Sequence, residues 1–362
     1  MDFDFTDSQS ALAGLCVEIF DPALPQPTGS LRNDPVWKAA CAAGLLGVLV
    51  TEGSGGAGLG AADACVVAQR CGAAGLSVPI SNAMAALALV DELTSAGAGS
   101  ARIQAAARAI GEGTVFMPLG AGSADPAVEA PRLDSSTNRL IGGALLAPAD
   151  ADLLLVWATV DGAADALVAL EARTEAIDIR TVEQPAGRFA RYGIDDVAVD
   201  AAEVLVGPEI TRLKRRSWHL ELLLNCAELA GLAEGAMELT AGYATRRHQF
   251  DRPIGTFQAV ATRLADCYID VETMRWTMWR AALRYDAGDL DAEAVAIARV
   301  AACEGGDRVL AAAQHIHGGL GVDVSYLLHR YYLRTRHLLL AGGGAQRHLA
   351  ELGRTLAERV RR

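Results

Sequence analysis

The sequence predicts an α+β protein with three successive domains: an N-terminal α-helical domain over residues 1–113, a middle β domain over residues 114–208 and a C-terminal helical bundle over residues 209–362. Long segments that are apolar on one side and lack strand signals occupy both ends of the chain. Short β-type runs separated by Gly, Asp, Asn and Pro lie between them. In addition, 51% of the residues are hydrophobic and only 21% are charged, which is typical of a folded chain with a large core.

The first 113 residues predict a series of helices. Thr6 is a suitable N-cap for an amphipathic helix, which the proline-rich stretch over residues 22–27 would end. A second helix begins at residues 36–40. The Ala-rich stretch over residues 61–110 continues the helical pattern.

A glycine cluster over residues 52–60 (Glu-Gly-Ser-Gly-Gly-Ala-Gly-Leu-Gly) allows two interpretations. One is a phosphate-binding loop, and the other is a turn before a helix. No Lys-Ser or Lys-Thr follows the cluster, and no GxGxxG opens a helix after a clear strand. The pattern therefore favours the turn.

The β domain is predicted from short runs rich in β-branched, aromatic and aliphatic residues. Its last strand lies near Val197–Val199 and the domain ends at Leu205–Pro208. The preceding runs are Val115–Pro118, Leu140–Gly142, Leu153–Trp157, Ala166–Leu170 and Ile177–Ile179.

Four long helices are predicted after the β domain, and short turns between antiparallel helices of this length make a bundle. They cover Ile210–Thr245, Phe257–Asp286, Asp291–Gly318 and Leu333–Arg361. Pro253 cannot stand inside a helix without removing an amide donor, so one helix ends and another begins between Arg246 and Gln258.

That corner carries a concentration of donors. Arg247, Gln249 and Arg252 supply cationic and amide groups, and arginine suits bidentate phosphate contacts. The alternative interpretation is a solvated turn with ordinary surface arginines.

Charge and cysteine usage exclude several classes of protein. The formal charge of −12 offers nothing to a nucleic acid backbone or an anionic membrane. The seven cysteines are scattered and form no CxxC pair, which argues against a disulfide framework or a zinc site. We expect a cytoplasmic protein, since neither a signal peptide nor a membrane-spanning run is visible.

Four segments, in this order along the chain, resemble signatures of the acyl-CoA dehydrogenase family. Gly44–Gly47 with Glu52–Gly58 looks like a first-domain signature, and Met117–Ser123 resembles a flavin loop that normally reads Thr-Glu-Pro-Gly-Ala-Gly-Ser-Asp. Arg247–Ile254 with Phe257–Gln258 matches R-x-Q-F-G-x-P-I. His315–Gly321 resembles Gln-x-His-Gly-Gly-x-Gly. The resemblance covers essentially the whole chain.

The resemblance implies a flavoenzyme that binds FAD and oxidises an acyl-CoA thioester, with electron-transfer flavoprotein as its electron acceptor. It places the pyrophosphate and adenosine of FAD against a neighbouring subunit. Carried over, Arg247 would pair with the pyrophosphate. The other implied contacts come from Gln249, Phe250, Gln258, His315, Gly318, Gly319 and Gln346. Taken alone, the two glycines also suit a helix C-cap.

The family's catalytic base is a carboxylate that removes the α-proton, and family members place it at one of two positions. The resemblance does not decide whether this chain has a base at either position. The usual glutamate is replaced by Gly342. The other position, found by counting back about seven helical turns from Arg247, falls on Glu221, within an apolar run. Glu221 either faces solvent or serves as the base. We do not expect His248 to be the base, because it lies in the cofactor motif, nor His315 and His317 to form a metal site, because residues two apart on a helix point away from each other.

Further departures point to a shared active site. Met117 and Ala124 replace the threonine and aspartate of the flavin loop. Some acyl-CoA dehydrogenases, notably those acting on steroid CoA thioesters in actinobacteria, are α2β2 heterotetramers of two homologous subunits. The resemblance implies that this chain is one such subunit, with a homologous partner that supplies the base. Two alternatives stay open: a self-sufficient homo-oligomer that uses Glu221, and a non-enzymatic scaffold with an inherited fold.

Overall fold

The computed structural model of the chain describes residues 5–23, 31–111, 131–149, 151–184, 187–289 and 292–361. Within them the helices are α1 (Asp7–Ile19), α2 (Pro35–Ala42), α3 (Ala61–Ala73), α4 (Ile80–Ser95), α5 (Ala101–Gly111), α6 (Pro208–Arg246), α7 (Gln258–Asp286), α8 (Ala292–His317), α9 (Leu327–Leu340) and α10 (Gly344–Val360). The strands are β1 (Arg132–Asp134), β2 (Arg139–Ile141), β3 (Ala144–Pro148), β4 (Leu153–Val160), β5 (Ala164–Glu171), β6 (Asp178–Gln184), β7 (Gly187–Gly193), β8 (Val197–Ala198), β9 (Val204–Val206), β10 (His248–Gln249) and β11 (Arg252–Pro253).

These elements form two compact units. The first, which we call the bundle unit, comprises Met1–Gln26, Cys65–Ser77 and Leu222–Arg362. The second, the sheet unit, comprises Pro27–Ala64 and Val78–Glu221.

The sheet unit contains two sheets in the described residues. The larger has the strand order β8-β2-β1-β4-β5-β9, and the smaller has the order β3-β7-β6. Strands β1 and β4 pair in parallel, while the other pairs are antiparallel. The predicted helix-then-sheet-then-helix order is confirmed as an α+β fold.

Alternate residues of the β4–β5 hairpin build the core of the sheet unit. Leu153, Leu155 and Trp157 share one face of β4, because successive side chains of a strand point to opposite faces. With Leu167 and Ala169 of β5 they pack against helices α4 and α5 and the first turns of α6. The helical residues of this cluster are Leu89, Val90, Leu93, Ile103, Ala106, Ala107, Ile210 and Leu213.

Two helices approach closely in the bundle unit. A Cβ atom at Gly231 of α6 would lie 1.9 Å from the carbonyl oxygen of Gln69 in α3, so only glycine permits this contact. The Tyr331 hydroxyl of α9 donates to the Ala73 carbonyl at 2.6 Å. A buried ion pair joins Arg334 of α9 to Glu228 of α6 at 2.6 Å. Removing one partner of such a pair leaves an uncompensated buried charge.

The glycine cluster over residues 52–60 is the turn that the sequence favours. A short 3-10 turn covers Glu52–Ser54, Gly55 has a φ of 85°, and α3 begins directly afterwards at Ala61. The interpretation as a turn before a helix is therefore confirmed.

The structure corrects two predicted elements. The prediction of one continuous helix over Leu333–Arg361 is wrong, because a break at Ala341–Gly343 separates α9 from α10. Gly342, Gly343 and Gly344 have φ values of 78°, 89° and 68°, and a glycine run enters this left-handed region at little cost. The last strand of the β domain in the described residues is β9, which follows the strand expected at Val197–Val199.

Strands β1, β3 and β7 were not predicted. Two of them read Arg-Leu-Asp and Gly-Arg-Phe-Ala-Arg-Tyr-Gly, so charged and glycine residues interrupt the apolar pattern. The predicted strand at Val115–Pro118 lies outside the described residues. In the parts of the chain that are described, no helix is both long enough and apolar enough to cross a membrane.

Candidate functional site

The corner after α6 is a tight hairpin. The Arg247 amide still donates to the Tyr243 carbonyl at 2.9 Å, and the chain then enters β10 and β11, where His248 pairs with Pro253. Phe250 and Asp251, the two residues of the turn, have φ values of 52° and 62°. The predicted end of the helix is confirmed, but the hairpin was missed because Phe-Asp lacks the Asn-Gly pattern typical of such turns.

The hairpin presents its functional side chains to solvent. Arg247, Gln249 and Gln258 are exposed, and Phe250 is 87% exposed. Within the described residues the Arg247 guanidinium makes no hydrogen bond or ion pair. An exposed cation beside an exposed aromatic ring is suited to a ligand that has both phosphates and flat rings.

Phe257 contacts two side chains of this hairpin. The Phe250 ring meets it edge-on at 6.2 Å between centroids, and the Arg252 guanidinium lies 4.2 Å above its face. Arg252 is thus held in a cation–π contact. Arg247 makes no such ring contact within the described residues, and its guanidinium stays available to a ligand.

A second exposed segment follows α8. His315 is exposed near the end of the helix, and Gly318 and Gly319 open the 3-10 turn that follows it. A Cβ atom at either glycine would meet no other heavy atom of the chain within 4 Å. The chain's own packing does not demand glycine at Gly319. The open space beside its backbone fits the approach of another group.

The buried side chain of His317 links this segment to the neighbouring residues. It is 3% exposed, its Nδ1 donates to the Ala313 carbonyl at 2.9 Å, and its Nε2 accepts from the Tyr326 hydroxyl at 3.2 Å. Burial lowers the pKa of His317 below its ordinary value, so the ring is neutral near pH 7. The ring also stacks on Tyr243 at 4.4 Å between centroids.

Tyr243 therefore joins the two exposed segments. Its carbonyl accepts a hydrogen bond from the Arg247 amide, and its ring stacks on the His317 imidazole. From the sequence, His317 was weighed only as half of a metal pair, and Tyr243 was not predicted to take part. The available signal was the position of Tyr243, one helical turn before Arg247.

Gly342, which the resemblance puts at the family's usual base position, is buried and closely packed. Gly342 has a φ of 78°, and a Cβ atom there would lie 2.6 Å from Cδ2 of Leu222. The nearest polar neighbour is Arg299, which is fully buried and whose Nη2 atom is 3.6 Å from that Cβ position. A carboxylate side chain at this position would require the Leu222 side chain to shift and would stand beside a buried cation. Gln346 is exposed on the first turn of α10.

Glu221 lies partly buried on α6. Its Oε1 accepts from Nδ2 of Asn82 at 3.4 Å, while the flanking Leu220 and Leu222 are buried. The Asn82 amide is thus one of the groups that position this carboxylate.

Two other predictions concern the flavin loop and metal binding. The loop Met117–Ser123 and Ala124 lie outside the described residues. In the described ranges, His, Cys, Asp and Glu side chains do not gather in groups of three or more that could hold a metal ion.

Comparison with known families identifies both ends of the chain. Residues 26–107 match the family described as "Acyl-CoA dehydrogenase, N-terminal domain", and residues 215–357 match "Acyl-CoA dehydrogenase, C-terminal domain". Acyl-CoA dehydrogenase FadE27 of Mycobacterium tuberculosis is 32% identical, with 99% of each chain covered. FadE28 of the same organism is 29% identical, with 98% of each chain covered.

Solved structures show the same relationship. A variant of the Tcur3481-Tcur3483 steroid ACAD superposes with a TM-score of 0.86 at 31% identity, covering 98% of this chain and 99% of that one. The ChsE4-ChsE5 complex from Mycobacterium tuberculosis gives 0.84 at 30% identity, with 99% of each chain covered. These matches confirm the resemblance. The chain belongs to the acyl-CoA dehydrogenase family of FAD-dependent oxidoreductases.

Proposed function

We propose that this chain is one subunit of a heteromeric acyl-CoA dehydrogenase that oxidises a steroid-derived acyl-CoA. The observation that carries the proposal is a contrast within the bundle unit. The hairpin and the turn after α8 offer an exposed set of cofactor contacts, whereas Gly342 supplies no carboxylate and is closely packed against Leu222. The similarity to the Tcur3481-Tcur3483 steroid ACAD and to the ChsE4-ChsE5 complex supports the heteromeric assignment.

The chain's own residues fit the phosphate and adenosine half of FAD. Arg247 supplies a guanidinium for the pyrophosphate, and Gln249 and Gln258 supply amide groups. The exposed ring of Phe250 covers an apolar part of the cofactor, and the open backbone at Gly318 and Gly319 admits it closely. His315 and Gln346 lie on exposed helix ends and add polar contacts.

Bound FAD supplies the hydride acceptor in this chemistry, and electron-transfer flavoprotein would then receive the electrons. The homologous partner subunit contributes the carboxylate that removes the α-proton of the thioester. His317 and Tyr243 act as positioning residues, because they hold the two cofactor segments in one arrangement and touch no reacting atom.

A self-sufficient enzyme that uses Glu221 is the second candidate. The partial burial of this carboxylate beside the Asn82 amide favours it, since a carboxylate that is partly removed from water is a more effective base. In that case the isolated chain would turn over substrate.

Expression alone and together with a homologous candidate partner tests the proposal. Native mass, bound flavin per chain and turnover of a steroid acyl-CoA are measured for both preparations. We expect full flavin loading and turnover only for the heteromer. Full loading and turnover by the isolated chain would contradict the heteromer, and the absence of flavin from every complex would favour a non-enzymatic scaffold.

A further inference from the structure

A large cavity in the bundle unit lies apart from the residues assigned to FAD. Its volume is about 1010 Å³, which is enough for a drug-sized or cofactor-sized molecule. It is formed by the start of α1, the end of α3, the middle of α6 and the second half of α7. Neither the hairpin at Arg247 nor the turn at Gly318 contributes to its lining.

The apolar part of the lining is aromatic. Phe5 and Trp279 meet at 5.7 Å between ring centroids with their planes tilted by 55°. Trp276 and Leu283 extend the same wall along α7 and remain 43% and 44% exposed. Partly exposed aromatic rings provide a flat, apolar surface for a ring-containing ligand.

The charged part of the lining is mostly cationic, in a protein whose formal charge is −12. Its two carboxylates are already engaged. Glu234 accepts from Gln69 Nε2 at 2.9 Å and from Arg275 Nη2 at 3.0 Å, and Asp289 accepts from Arg284 Nε at 3.1 Å.

Two arginines of the lining keep their donors free for a ligand. Arg70 of α3 and Arg280 of α7 make no hydrogen bond or ion pair within the described part of the chain. The N-terminal end of α1 also lines the cavity at Thr6 and Gln9, so its helix dipole adds positive potential. The geometry points to a second binding site, for an amphipathic organic anion that has a flat ring system and a carboxylate or sulfonate. Its rings lie on Trp276 and Trp279, and its anionic group binds Arg70 and Arg280.

A matched pair of fluorescent probes tests this site on the full-length chain, alone and in its assembled complex. The anionic probe is 1-anilinonaphthalene-8-sulfonate, and the neutral probe is N-phenyl-1-naphthylamine, which has the same rings without the sulfonate. We expect the double variant Arg70→Gln/Arg280→Gln to bind the anionic probe at least about tenfold more weakly, because charge-assisted contacts are lost. Binding of the neutral probe should stay within about twofold.

Two further variants locate the site. Trp276→Ala should weaken both probes, because it removes part of the ring platform. Arg263→Gln changes an exposed arginine on the same helix that does not line the cavity, and it should alter neither probe. Circular dichroism and the Tm verify folding of each variant. If the double variant does not fold, Arg280→Gln alone provides the comparison.

Three results would overturn the inference. They are unchanged binding of the anionic probe in the arginine variants, an equal loss in Arg263→Gln, and loss of cavity binding when the chain is assembled with its partner. The last result would mean that another chain covers the cavity. None of these outcomes is read from flavin loading or turnover, and the first two are measured on the chain alone, so they test the inference independently of the proposed function.

Discussion

The imidazole of His317 stacks on the ring of Tyr243 with 4.4 Å between centroids and 23° between planes. Tyr243 is also the residue whose carbonyl accepts from the Arg247 amide. The turn after α8 and the hairpin after α6 are therefore fixed relative to each other through one aromatic contact.

Loss of this contact should affect both stability and cofactor binding. We expect His317→Ala to lower the free energy of unfolding by about 2 kcal/mol or more, because a buried ring and its hydrogen bonds are removed. Flavin affinity should fall as well, since the two segments are no longer aligned. Thermal unfolding and flavin titration measure the two effects. Tyr326→Phe, which removes only the hydroxyl bonded to His317, should cost less in both; an equal loss would contradict the positioning role.

The turn of the hairpin carries backbone strain that glycine would relieve. Asp251 has a φ of 62°, and the family motif has glycine at this position. We expect Asp251→Gly to stabilise the unliganded chain by about 0.5–1 kcal/mol after allowing for the greater flexibility of glycine when unfolded. The Tm of the apoprotein measures this. Asn138→Gly, at a φ of 50° where asparagine is already tolerated, should gain less. A lower Tm for Asp251→Gly would contradict the prediction.

Restoring the family's glutamate should not restore a base. Gly342→Glu places a Cβ 2.6 Å from Leu222 in a left-handed backbone conformation, so we expect a loss of about 2 kcal/mol or more in stability. The isolated variant should show no turnover of acyl-CoA. Gly353→Ala in α10, where nothing lies within 4 Å of the new Cβ, is the control and should be neutral or stabilising. Turnover by Gly342→Glu alone would contradict this account of the site.

Acid should destabilise the bundle unit through histidines whose pKa values are lowered in the folded chain. Burial, and secondarily the Arg334 charge, lower the pKa of His337 from 6.5 to about 3. Above pH 6.5 the ring is neutral in both the folded and the unfolded chain. Between pH 6.5 and about 3 only the unfolded chain takes up the proton. Stability should therefore fall with pH across this window, by up to about 1.4 kcal/mol per pH unit from this one group.

Chemical denaturation at several pH values measures this slope. His337→Gln, which does not titrate, should flatten it. Burial also lowers the pKa of His317 and His348, so part of the slope should remain. An identical slope in His337→Gln would contradict the assignment.

The sequence was sufficient for the order of the elements because helical and strand periodicities differ clearly, and Pro253 excluded a continuous helix through the corner. It was insufficient where contacts between distant residues decide the structure. The close packing at Gly342 depends on Leu222 of α6, and the cation beside it is Arg299 of α8. Both residues lie on helices distant from Gly342 in the sequence. A stack such as Tyr243 on His317 leaves no local signal, because the residues are far apart in the chain.

The central claim is that this chain binds the FAD phosphates through Arg247 while the partner supplies the base. The most direct test is the turnover of heteromers in which only this chain carries a substitution. Glu221→Gln should keep the turnover number within about twofold and leave bound flavin unchanged. Arg247→Gln should weaken flavin binding about tenfold or more without lowering the Tm of the apoprotein. A loss of about a hundredfold or more in turnover by Glu221→Gln, with flavin fully bound, would show that this chain carries the base and would contradict the claim.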